Sequence, residues 1–222
     1  MDFHRRLEHS SRPGSAYFVT WRLDGSLPVA RVTDFWTSDG PKFVELDQLL
    51  DAVSTGPRWL ERHDVAGVVA NALWKGVRES RYELGAWVLM PNHVHIALRP
   101  LGDQDLASTV RRIKGSSAHA ANRLLNRSGS RFWAKDYFDR RIRDRDHEGR
   151  VTRYIENNPV KAGLCGNVQD WPWSSAGKNA ARSRVYPTRG PSVLLTRRPF
   201  PKTCTLMSHT RRRATPTRFA RN

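Results

Sequence analysis

Cysteine is scarce in this chain: Cys165 and Cys204 are the only two among 222 residues. Two isolated thiols make neither a disulfide framework nor a zinc-ribbon pattern, and they fit a reducing cytosol. Long apolar runs are missing as well. None approaches the roughly 20 residues that span a bilayer, and the opening Met1-Asp-Phe-His-Arg-Arg6 carries no apolar signal segment. These absences point to a soluble cytoplasmic protein. Apolar residues make up only 38% of the chain, low for a wholly compact globule, so part of it is expected to lie outside any core. Acidic residues are in deficit: 21 Asp and Glu face 38 Lys and Arg, a formal net charge of +17. Such an excess predicts a polyanionic partner, nucleic acid first.

The charge is unevenly placed. Residues 177–222 hold twelve Lys and Arg and no acid, and residues 111–161 hold fourteen against six acids. Residues 1–110 are slightly acidic. One basic zone is therefore a tail. It is rich in Arg, Pro, Ser and Thr without periodicity, and reads as disordered and nucleoid-associating. The other follows directly on the most informative stretch, Trp87-Val-Leu-Met-Pro-Asn-His-Val-His-Ile-Ala-Leu98.

That stretch reads as a strand in its second half. His93 and His95 are two apart, so both imidazoles fall on one face, while Val94, Ile96 and Leu98 fall on the other. Two adjacent imidazoles make half of a divalent-metal site. Around it, Ala16–Leu23 predicts a first strand, residues 64–78 a helix behind Asp64, and Tyr82–Met90 a second strand hairpinned to His93–Arg99. A helix follows from about 104 to 126 with Asp103 as its cap, then a fourth strand over Phe132–Ile142. A last helix starts behind Asp144 and stops at Pro159. This order predicts an α+β, ferredoxin-like (split βαβ) antiparallel sheet with helices on one face and an added C-terminal helix. Residues 27–58 are broken by Pro and Gly and read as an insertion the core does not need, though Phe43–Val53 suits a short helix. One domain over 1–176 with a tail over 177–222 is the expected organisation. Trp171-Pro-Trp-Ser-Ser175 is expected to pack back onto it.

The last helix completes the chemistry. Tyr154 and Asn158 are four apart and share a face. Either alone has a bland reading, Tyr154 as a half-buried aromatic and Asn158 as a helix C-cap. Together with two imidazoles, an amide oxygen and open coordination positions suit Mg²⁺ or Mn²⁺ better than structural zinc. A phenol beside such a metal on a basic protein suggests attack on a phosphodiester.

Met90-Pro-Asn-His-Val-His-Ile96 closely resembles the His-hydrophobic-His (HUH) motif of single-tyrosine transposases. Arg153-Tyr-Ile-Glu-Asn-Asn-Pro-Val-Lys-Ala-Gly163 resembles the catalytic helix of one branch, the REP-associated tyrosine transposases. Phe18–Pro28, Arg112-Ile-Lys-Gly115 and Trp171–Ser175 resemble it too. The resemblance implies His93, His95 and Asn158 as metal ligands and Tyr154 as nucleophile. It implies an enzyme that cleaves and rejoins single-stranded or hairpin DNA through a 5′-phosphotyrosine, as a monomer. Arg111, Arg112, Lys114, Arg140, Arg141 and Arg143 are the candidate DNA contacts. By analogy Arg5 and Arg6 would read guide nucleotides. The competing readings are a catalytically inactive, domesticated DNA-binding protein of the same fold, and a metallohydrolase. The latter is disfavoured because position 97 is Ala rather than an acid.

Overall fold

A computed structural model describes residues 12–27, 47–51 and 56–178. Four antiparallel strands form one sheet: β1 (Ala16–Arg22), β2 (Tyr82–Leu89), β3 (His93–Pro100) and β4 (Phe138–Ile142), in the order β2-β3-β1-β4. Helices α1 (His63–Arg78), α2 (Leu106–Leu124) and α3 (Arg145–Lys161) complete the core, and residues 47–51 form a helical turn. The expected ferredoxin-like order with one added helix is the one observed.

The two-residue period of the strands sorts the core into two layers. Tyr17, Val19 and Trp21 of β1 and Val94, Ile96 and Leu98 of β3 pack under α1 and α2, against Val65, Val69, Leu73, Val110 and Ile113. Ala16 and Phe18, with Val88, Ala97 and Ile142, face the other way and pack under α3 through Val151 and Ile155. His93 and His95 are therefore on the α3 face, as β3 pairs His95 with Thr20 of β1. The segment after α3 lies along β2. Leu89 N–H donates to the Trp173 carbonyl (2.8 Å), Ser175 N–H to that of Trp87 (2.8 Å), and Trp171 Nε1 to that of Leu89 (2.9 Å). The Trp-Pro-Trp segment thus packs back as expected.

Several boundaries differ from expectation. Asp64 lies inside α1, where its carboxylate accepts from the next N–H and from the guanidinium of Arg62, the residue at the cap position. Asp105, not Asp103, caps α2, its carboxylate accepting from Ser108 N–H at 2.7 Å. A turn closed by Gln104 N–H on the Leu101 carbonyl delays that helix by two residues. Pro159 does not stop α3, which runs to Lys161. A proline forfeits only its own bond to the carbonyl four back. The helix ends instead where Gly163 turns left-handed (φ 67°) and Leu164 and Gly163 N–H return to the carbonyls of Pro159 and Val160. β4 is shorter than Phe132–Ile142 because residues before Phe138 form a loop, tied by Ala134 N–H to the Arg22 carbonyl (2.9 Å).

Gly76 marks the tightest helix–sheet contact. A Cβ there would run into the ring of Tyr82, whose hydroxyl donates to the Leu73 carbonyl at 2.5 Å. A Cβ at Gly67 would meet only Trp173 at 3.8 Å. Gly67→Ala is therefore expected to gain about 0.5–1 kcal/mol from helix propensity. Gly76→Ala is expected to lose about 1–2 kcal/mol net, overpacking outweighing the same gain. Urea unfolding of both variants checks the opposite signs.

Candidate metal and nucleophile centre

The two imidazoles are fully buried and oriented by polar partners that the sheet supplies. Asn92 Nδ2 donates to the Leu50 carbonyl (2.9 Å), which turns its Oδ1 toward His93 Nδ1 at 2.7 Å. An amide oxygen only accepts, so His93 carries its proton on Nδ1 and presents a bare Nε2. His95 Nδ1 meets Thr20 Oγ1 at 2.6 Å, and its ring stacks on Phe18 with centroids 5.7 Å apart. The two Nε2 atoms lie 3.0 Å from one another.

Sequence reasoning missed the group that faces them. Asp47, from the stretch set aside as an insertion, is buried and brings Oδ1 to 2.9 Å from His95 Nε2 and 3.4 Å from His93 Nε2. Asp51, one turn on, has Oδ1 4.0 Å from His93 Nε2. No motif of type or spacing marked Asp47. The only signal was that Phe43–Val53 suits a helix, which would put Asp47 and Asp51 on one face.

Helix α3 closes the cluster. Tyr154 donates its hydroxyl to Asp47 Oδ2, and its ring lies edge-on to Phe18 and His95, with centroids 5.9 Å from each. Lys161 Nζ covers the same ring at 4.7 Å. Asn158 Nδ2 donates to Asp47 Oδ2 at 2.9 Å and lies 3.2 Å from His95 Nε2. The spacing of Tyr154 and Asn158 on one helix face thus brings both to the His pair, as the sequence implied.

The electrostatics of the cluster ask for a cation. Burial opposes ionisation of Asp47, but the neighbouring imidazoles of His95 and His93 outweigh it, and the carboxyl lies far below the ordinary carboxylate range. Burial lowers His93, which favours its neutral form. Burial first, then the negative charge of Asp47, raises Asp51 to about 6, against the pull of His93 and Lys161. Burial and the Asp47 carboxylate push Tyr154 far up, so its proton stays on the phenol. Asp47 Oδ1, Asp51 Oδ1 and Asn158 Oδ1 are moreover buried without a hydrogen-bond partner, at a cost to each.

A divalent ion answers that deficit. The ligand atoms of Asp47, His93 and His95 all lie within 4.8 Å of one another. Bonds of about 2.1 Å at right angles would separate them by roughly 3 Å. Turning the Asn158 amide over would add its oxygen, since the two amide ends are interchangeable by rotation. The donor set of oxygen and imidazole fits a divalent metal ion.

Three comparisons with known proteins bear on this centre. The family model "Transposase IS200 like" matches residues 58–158, a span that holds His93, His95, Tyr154 and Asn158 but not Asp47. The REP-associated tyrosine transposase of Escherichia coli (strain K12) is 37% identical over 121 residues, 54% of this chain and 69% of that protein. This chain belongs to the REP-associated tyrosine transposase family. A solved REP-associated tyrosine transposase, described as bound to a REP hairpin, superimposes with a TM-score of 0.53 at 25% identity. The match covers 86% of this chain and 94% of that one. Among the described residues of this transposase-family chain, no helix is long and apolar enough to cross a membrane.

The candidate DNA contacts divide by place. Arg140 sits opposite Phe18 in the β1–β4 register, so it shares the sheet face of the metal centre. Arg140, Arg143 and Arg150 together depress His147, after burial, and so form an exposed basic patch at the start of α3. Arg141 is opposite Tyr17 and faces the other layer. Arg111 and Arg112 are exposed on α2, on the far side of the sheet from Tyr154. Lys114 is turned inward. Its Nζ donates to the carbonyls of Ala134 (2.8 Å), Lys135 (3.1 Å) and Asp136 (3.2 Å), and burial lowers it to about 8. The expected phosphate contact at Lys114 gives way to a clamp on the loop before β4, because all three ammonium donors are engaged there. Arg5 and Arg6 lie outside the described residues.

Saturating Mn²⁺ is expected to stabilise the fold. At about a hundred times Kd the gain is roughly 2.7 kcal/mol, or about 5–10 °C in Tm. EDTA should reverse the shift, and His93→Ala and His95→Ala should each remove it, as read by differential scanning calorimetry.

Proposed function

We propose that this chain is a metal-dependent endonuclease and strand transferase for single-stranded DNA, acting at hairpins through a 5′-phosphotyrosine link. The observation that carries the reading is the buried cluster in which the phenol of Tyr154 and the amide of Asn158 meet the His93–His95 pair around one carboxylate. His93 and His95, with Asp47 and Asn158, would hold the cation. When bound, a divalent cation supplies Lewis-acid polarisation of a non-bridging phosphate oxygen.

The protein's own groups account for the remaining parts. Phe18, His95 and Lys161 fix the plane of the Tyr154 ring and aim its hydroxyl into the cluster. Such orientation converts strand cleavage into an in-line reaction between positioned groups. Tyr154 Oη forms a bond to phosphorus as its O–H bond breaks, the bond from phosphorus to the 3′-oxygen breaks, and the proton the phenol gives up balances the one the 3′-oxygen gains. The 5′-phosphate stays on the tyrosine and a 3′-hydroxyl is released. Because a phosphodiester is exchanged for a phosphotyrosine ester, a 3′-hydroxyl can reverse the step and join ends without ATP.

The exposed Arg140, Arg143 and Arg150 flank the N-terminal end of the catalytic helix and suit the phosphates of a strand approaching Tyr154. Arg111 and Arg112, on the other layer, suit a more distant part of the same nucleic acid, as a hairpin stem would offer. The solved relative described as bound to a REP hairpin supports this class of substrate. Tyr154 within ring contact of His95 of its own chain supports a monomer acting in cis.

The test is incubation of the full chain with a 5′- or 3′-labelled hairpin carrying single-stranded flanks, with Mn²⁺ or Mg²⁺. A covalent protein–DNA adduct carrying the label on the 3′ side of the break is expected. It should vanish in Tyr154→Phe and with EDTA, and fall at least about a hundredfold in His95→Ala. Hairpin binding that weakens with salt but never yields an adduct would instead favour the inactive DNA-binding reading.

A further inference from the structure

Asp47 does more than complete a ligand set. Its two carboxylate oxygens face different partners. Oδ1 points at the imidazole pair, 2.9 Å and 3.4 Å from the two Nε2 atoms. Oδ2 accepts from the Tyr154 hydroxyl and from Asn158 Nδ2. The turn that carries it is registered against β3 through one residue, since Asn92 holds both the Leu50 carbonyl and His93 Nδ1. Asp47 lies outside the span that the family model matches, and the bridge comes from the 47–51 turn.

We propose that Asp47 is a positioning residue that couples the cation to the nucleophile. Oδ1 takes a place among the ligands, and Oδ2 holds the Tyr154 hydroxyl at a fixed offset from them. This rests on the reading of the centre as a cation site given above. Its consequence is thermodynamic. Two groups that share one carboxylate must sense one another, and the coupling is reciprocal. Removing the Tyr154 hydroxyl should therefore change cation affinity, although Tyr154 is itself no ligand. A plain space-filling role for Asp47 predicts the reverse: trimming it would leave affinity unchanged or improve it.

The experiment is Mn²⁺ binding to the full chain without DNA, followed by isothermal titration and by the electron paramagnetic resonance of free Mn²⁺. Wild type, Asp47→Ala, Asp47→Asn, Tyr154→Phe and the Asp47→Ala/Tyr154→Phe double variant are compared. Circular dichroism checks each fold, and Asp47→Asn, nearly isosteric, serves if the alanine variant unfolds. Loss of a ligand or of its outer partner typically costs about 10–100-fold in affinity. Asp47→Ala is expected to weaken Mn²⁺ at least about tenfold, and Tyr154→Phe several-fold, with no added loss in the double variant. Unchanged or tighter binding in Asp47→Ala overturns the proposal. So does a Tyr154→Phe loss that persists without Asp47, an unaltered affinity in Tyr154→Phe, or a wild type that takes up no Mn²⁺. Adduct formation is scored separately, so a chain that couples cation to tyrosine yet cleaves no DNA would fail the functional reading and keep this one.

Discussion

Two imidazoles buried side by side on one face of β3 are the constraint to which the rest of the molecule answers. Their placement follows from strand geometry, which turns alternate residues to alternate faces. Their burial follows from α3, which covers that face through Val151 and Ile155. A buried imidazole without polar partners is costly, and the sheet and its neighbours provide them: Thr20 from β1, Asn92 from the hairpin, Asp47 from the 47–51 turn and Asn158 from α3. At least one residue from each surrounding element thus converges on the pair.

Charge reinforces that convergence. Inside a strongly basic protein, the carboxyls of Asp47 and Asp51 face His93, whose neutral form burial favours. The exposed Arg140, Arg143 and Arg150 lie apart from the buried carboxylate of Asp47, so the two kinds of charge occupy separate places in the fold. The same fold spends one of its basic residues on structure. Lys114 lies beside arginines in sequence, yet it clamps three carbonyls of the loop that leads into β4.

Much was legible before any coordinates. The strand period at His93 and His95 and the four-residue spacing of Tyr154 and Asn158 are local properties, set by helix and strand geometry alone. The element order that makes the sheet ferredoxin-like was equally open to reading, since apolar periodicity marks each strand and helix. The errors fell at boundaries, where a turn or a left-handed glycine outweighs propensity. Pro159 looked like a stop and was instead carried within the helix to a glycine C-cap at Gly163.

What this sequence determined by itself was therefore the inventory: which residues face together on β3 and on α3, a pair of imidazoles on the one and a phenol with an amide on the other. What only the tertiary structure decided was their meeting and the identity of Asp47. An aspartate in a Pro- and Gly-broken stretch carries no periodic signature. Its role arises from a contact 46 residues away along the chain to His93 and still further to Tyr154. No local rule encodes a contact of that separation, because its energy comes from satisfying buried groups that do not become neighbours until the sheet has closed.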